Sequence, residues 1–294
     1  MRAAGLLSPV AEDSTVRLGA AADALLRHVP RMEIDFDGDC AQAIGADVPV
    51  VAINLRHRPD RWQLLTRRMA AVGIDKLIRA PAIEGARVPH GQIAALLRSP
   101  ADLAERAPPG HLTLTPPAVG CFLSHLAVWR WMLDTGLPRL LVLEDDAVPT
   151  AQFDADRFRR VIGALSNEVA LVFPGCLVMA GLADRAGGAH LARLYYFNGT
   201  FAYLITPGAC WTLLRHLLPL HAHIDHQISK VLIEQRHVLA AYCAEPSLFE
   251  PDWSLRSDCY VPLADERTAD RELGEIIAST RRMLLSEGRP LREA

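Results

Sequence analysis

Lysine is almost missing from this chain: of 31 Lys and Arg residues, all but Lys76 and Lys230 are arginine. The bias reads as genomic composition first and as anion recognition second. There is no basic excess either, and a net charge of -3 argues against a general nucleic-acid binder. No apolar run reaches the roughly 18 residues that a membrane-crossing helix needs, although peripheral membrane contact stays open. The six cysteines (40, 121, 176, 210, 243 and 259) contain no C-x-x-C pair, and most stand among apolar neighbours. With no secretory signal in view, the expectation is a reduced, cytoplasmic protein. G-x-S-x-G, a P-loop and internal repeats are all absent, which disfavours hydrolase and phosphoryl-transfer readings.

What is present suits a folded α/β protein. Half of the 294 residues are hydrophobic and 22% are charged, enough for a substantial core. Residues 1–46 read as an N-terminal extension, 47–262 as the main domain and 263–294 as a helical tail. In the extension, "VRLGAAADALLRHV" has helical spacing and "EIDFDGDC" is an acidic loop. Calcium does not fit that loop, because its glycine falls too early and position twelve supplies no glutamate. "VPVVAINL" (48–55) reads as a buried strand. A helix should follow from Pro59, with Trp62, Leu65, Met69 and Val72 on its apolar stripe and Gly73 as its stop. Residues 86–117 are Pro-rich with one short helical piece, a candidate flap. "VGCFLSHLAVWRWMLDTG" reads as a helix, "RLLVLEDD" as a strand, and 168–175 and 199–206 as two more strands. Thr206-Pro207 should cap the next helix, and a last helix should span about 268–286.

The acidic run Glu144, Asp145, Asp146 raises the chemical question. Three adjacent carboxylates repel, and either solvent or a divalent cation must make them tolerable. On an extended strand end Glu144 and Asp146 share one face while Asp145 points opposite. Two carboxylates on one face suit a hard cation such as Mg²⁺ or Mn²⁺. Ser124 and His125 point about 100° apart on a helix, so they cannot be a nucleophile and its base. A buried hydroxyl and a buried imidazole, each bonded to backbone, is the plain alternative. His221, His223, Asp225 and His226 match no standard zinc spacing. Asp225 could cap the helix that begins near it. Gly199 would let backbone approach a ligand closely, and Tyr203 either stacks on a ring or fills core.

The phrases "INLRHRPDR", "APAIEGA", "VGCFLSHLAVW", "LLVLEDDA", "NGTFAYLITPGACWTLL" and "IDHQ" occur in that order over about 48–250. Together they resemble glycosyltransferase family 25, which includes bacterial lipooligosaccharide and collagen galactosyltransferases. The resemblance implies a Rossmann-like, A-type glycosyltransferase fold with a mixed sheet. It also implies a nucleotide-sugar donor such as UDP-galactose, Mn²⁺ or Mg²⁺, and inverting transfer to a hydroxyl acceptor, with a bacterial envelope glycan expected. By the same resemblance Asp146 and Glu144 hold the metal, and Asp145 positions the sugar. Asn54, Arg56, Arg61, Gly85, Ser124 and His125 belong to the donor side, where Arg61 either forks onto a phosphate or supports the base. Asp225 corresponds to the family's acceptor-side carboxylate. Base, helix cap and support for the metal all remain open for it, with Glu250 in reserve. A non-catalytic interaction module is the rival reading.

Overall fold

A computed structural model of the chain describes residues 48–97, 114–164, 170–186, 191–255, 257–259 and 267–286. The N-terminal extension, with its helical stretch and acidic loop, lies outside these residues, as does most of the Pro-rich stretch. The elements are β1 (Val50–Asn54), α1 (Pro59–Ala71), β2 (Ile78–Pro81), a 3₁₀ turn (Gly85–Arg87) and α2 (His90–Ala94). There follow α3 (Pro116–Asp134), β3 (Leu140–Glu144), β4 (Ala147–Pro149), α4 (Ala155–Gly163), β5 (Ala170–Ala186) and β6 (Leu191–Ile205). The chain closes with α5 (Pro207–His216), α6 (Ile224–Glu234), β7 (Ala240–Ala244), β8 (Phe249–Pro251) and α7 (Arg267–Ser286).

Six strands form one mixed sheet in the order β2-β1-β3-β6-β5-β7, and β4 pairs with β8 in a separate ribbon. β1 runs parallel to β2 and β3, while β6 runs antiparallel to β3 and β5. Alternation along the strands explains why their sequences read as unbroken apolar runs. Val51, Ile53, Leu140 and Val142 enter one core with α3, α5 and α6, whereas Val50, Ala52, Leu141 and Leu143 enter a second core with α1 and α4. A sheet covered on both faces has no polar side to display.

The helices start where the chain's chemistry says they should. Pro59 opens α1, and Leu65 and Met69 are fully buried beneath the sheet, each stabilising by about 1.5–3 kcal/mol. Gly73 follows with φ +81°, a conformation that stops a helix at little cost to glycine. Thr206 caps α5 by accepting from Ala209 N. α3 begins at Pro116, three residues ahead of the start expected from its apolar pattern, because Thr115 accepts a hydrogen bond from Ala118 N. That threonine-proline start repeats the one at Thr206-Pro207.

Two expectations need correction. The strands foreseen at 168–175 and 199–206 are the inner ends of a hairpin 17 and 15 residues long. Its register shifts several times along the ladder. Those irregularities blur the two-residue alternation that would mark a strand in sequence. The last helix begins within a residue of its expected start and packs on the sheet: Leu284 lies against Tyr195, and Ile277 against Ala180 and Tyr196. Finally, α6 begins at Ile224 with His223 at the cap position, so Asp225 sits inside the first turn and is not the cap.

Candidate functional site

The parallel pairing of β1 with β3 sets Ile53 opposite Glu144, so Asn54 and Asp145 leave the sheet side by side. The carboxyl ends of parallel strands are where open α/β sheets leave room for a ligand. A cavity of about 310 Å³ opens there, lined by the acidic run, Asn54, Arg61, the loop 82–86 and one side of α3. That volume lies at the small end of small-molecule sites.

Each carboxylate of the run is handled differently. The Thr200 hydroxyl donates a hydrogen bond to Glu144 Oε1, and His125 Nε2 lies 3.2 Å from the same oxygen. Asp145 is buried; Asn54 Nδ2 donates to its Oδ2 at 2.7 Å and Arg61 Nη1 to its Oδ1 at 3.0 Å. Burial raises the Asp145 carboxyl above its ordinary value, and these two bonds oppose the rise without cancelling it. Asp146 lacks such side-chain bonds; only the charge of Arg61 and its own backbone N–H oppose the rise. Its Oδ1 is buried with no hydrogen-bond partner, and its carboxyl is pushed up to about 7 by burial first and then by Glu144 and Asp145. An orphaned oxygen beside two negative neighbours suits a cation. The backbone around it is fixed, because Asp252 N donates to Asp146 O at 2.8 Å and β4 pairs with β8 directly after the turn.

His125 is oriented by side chains, where the plain expectation was backbone. Trp129 Nε1 donates to Tyr203 Oη at 2.8 Å, and that hydroxyl lies 2.8 Å from His125 Nδ1. His125 Nε2 faces a carboxylate oxygen, so it must carry a proton. Tyr203 is therefore a core residue with a polar task. Ser124 is the buried hydroxyl foreseen for it, donating to Gly120 O at 2.7 Å and accepting from Ile83 N at 2.8 Å. That bond ties the loop 82–86 to α3. A Cβ on Gly85 would sit 1.6 Å from Pro116 O, and one on Gly120 2.4 Å from Gly85 N, so the loop rests on the helix through two glycines.

Not all candidates converge. Arg61 is buried on Asp145 and reaches Asp258 at 3.5 Å, so its guanidinium is committed within the protein. Arg56 is exposed and borders a neighbouring recess with Arg87 and Gln92. Glu250 is exposed on β8 and does not line the cavity. Asp225 is buried, with its Oδ2 accepting from Gly199 N at 2.8 Å. It does not line the cavity. Gly199 has φ +84°, and a Cβ there would meet the Phe201 ring at 2.8 Å, so this glycine serves the backbone itself.

Sequence reading missed the far rim. Ser257, Asp258 and Cys259 line the cavity, with Asp258 accepting from Arg58 Nη1 at 2.7 Å. Nothing in their local pattern marks them. Gly120 did carry a signal, since a glycine inside a strongly helical stretch calls for a packing reason.

The acidic turn, the glycine-seated loop and α3 all fall within one stretch that has known counterparts. Residues 48–159 match glycosyltransferase family 25, described as an LPS biosynthesis protein family. A probable inactive glycosyltransferase 25 family member 3 of Bos taurus is 27% identical over 69% of this chain and 36% of its own length. A glycosyltransferase 25 family member of Anopheles gambiae is 25% identical over 74% of this chain and 40% of its own. The procollagen galactosyltransferase 2 of Homo sapiens is 34% identical over 35% of this chain and 16% of its own. The chain thus spans well under half the length of these curated relatives. The family-25 match contains Asn54, Arg61, Gly85, Ser124, His125 and the whole acidic run, but neither Asp225 nor Glu250.

Proposed function

We propose that this chain is a family-25 glycosyltransferase domain that moves a hexose, galactose from UDP-galactose, onto a hydroxyl acceptor with inversion. The observation that carries the reading is the buried, unpartnered Asp146 Oδ1 in a cavity at the ends of parallel strands. Asp146 and Glu144 are the residues that would hold Mn²⁺ or Mg²⁺. Both bonds to Glu144 fall on Oε1, so its second oxygen is the one to offer. When bound, the cation supplies charge stabilisation for a departing nucleoside diphosphate.

The chain's own residues divide the remaining work. Asn54 and Arg61 lock Asp145 and so fix the turn that carries Asp146. His125 and Thr200 set the direction of Glu144. Asp225 is the carboxylate assigned to take the acceptor's proton, held in place by the Gly199 N–H. The catalytic unit is assigned to residues 47–262, with residues 1–46 dispensable for donor hydrolysis. The acceptor is assigned to a bacterial envelope glycan built at the cytoplasmic face. Among the described residues no helix is long and apolar enough to cross a membrane.

The test is release of UDP from a panel of nucleotide sugars with and without Mn²⁺. Metal-dependent release from one donor is the expected result. A second reading, an interaction module without activity, is favoured by the bovine relative's description as probably inactive. No turnover of any donor, with or without an acceptor, would select it.

A further inference from the structure

Among the described residues, the group of three His, Cys, Asp or Glu whose candidate ligand atoms all lie within 4.8 Å of one another is Cys121, His125 and Glu144. The three carboxylates of the acidic turn do not form such a group. The cluster is built on firm elements, with Cys121 and His125 one turn apart on α3 and Glu144 at the end of β3. All three line the cavity, so an ion has a way in.

We propose that Cys121, His125 and Glu144 form a site for a thiophilic cation of the Zn²⁺ class, with the fourth position left to solvent or a ligand in the cavity. Thiolate and imidazole select such ions over Mg²⁺ or Mn²⁺, which prefer oxygen. A tetrahedral ion with bonds of about 2.0–2.3 Å separates its ligands by about 3.3–3.8 Å, a contraction that side-chain rotation can supply. The Tyr203 hydroxyl beside Nδ1 already fixes the His125 ring with Nε2 turned to Glu144, the orientation a ligand needs.

Binding has a chemical consequence. The Cys121 thiol proton leaves to solvent; the imidazole proton shifts from Nε2 to Nδ1, which then donates a hydrogen bond to Tyr203 Oη as the Tyr203 hydroxyl hydrogen turns away from the ring. Glu144 becomes a ligand of the soft ion and is withdrawn from the hard-cation pair with Asp146. A thiophilic ion at this site therefore inhibits metal-stimulated turnover, a consequence that rests on the proposed function. The existence of the site does not.

Co²⁺ added to the full-length, chelator-treated protein is the probe, read by absorbance without donor or acceptor. The expected result is a thiolate-to-cobalt charge-transfer band that saturates at one ion per chain and is displaced by Zn²⁺. Cys121→Ser should abolish the band and weaken Zn²⁺ by more than about tenfold, since losing even an outer partner costs that much. Asp146→Asn should leave it intact. No band in the wild type, or an undiminished band in Cys121→Ser, overturns the site. A chain that shows the band and turns over no donor overturns the proposed function alone.

Discussion

Arg61 Nη1 lies 3.0 Å from Asp145 Oδ1, and both side chains are buried. The arginine that a sequence reader would hand to a phosphate is spent on holding the acidic turn in shape. Arg61→Ala should therefore cost about 3 kcal/mol of stability, the scale for stranding one partner of a buried pair. Urea unfolding reads this directly. A loss below about 1 kcal/mol together with a large rise in donor KM would return Arg61 to the ligand.

Asp146→Asn should abolish metal-stimulated donor turnover and raise the Tm of the metal-free protein, because it removes one of three crowded charges. Mn²⁺ should raise the Tm of the wild type and not of the variant, since binding to the native state stabilises it. Near-normal turnover of the variant at saturating Mn²⁺ would take the metal away from Asp146.

Asp225→Asn separates chemistry from architecture. Asparagine keeps a carbonyl oxygen for the Gly199 N–H but cannot take a proton. Transfer should fall by roughly 10² or more while donor affinity barely moves. A variant that transfers at the wild-type rate would leave Asp225 as a strut for Gly199.

Asp252 offers a pH test away from the proposed chemistry. The Ser254 hydroxyl and then Arg68, at 2.5 Å, hold its carboxyl below the ordinary value of 3.8. A depressed pKa in the folded state contributes stability that is complete above about pH 4 and lost as the pH falls further. Asp252→Asn should thus cost about 0.5–1 kcal/mol at neutral pH, a difference that closes in acid. Parallel urea curves at pH 7 and pH 3 check it, and a gap that widens in acid would refute the sign.

The sequence by itself determined the pieces whose causes are local. Strand β1 and the apolar run into Glu144 were legible because both faces of the sheet are covered. The starts at Pro59 and Thr206-Pro207 were legible because caps and prolines act within four residues. The crowding at Glu144, Asp145 and Asp146 could be seen at once. What relieves that crowding was decided by tertiary structure alone. Asn54 and Arg61 reach Asp145 from 91 and 84 residues away, and Thr200 reaches Glu144 from 56. Those pairings depend on strand order and register, which set β1 on one side of β3 and β6 on the other. Periodicity reports which face a residue takes, but never which strand lies beside it. For the same reason Asp146, chemically equal to its neighbours on paper, became the one with a buried oxygen left bare.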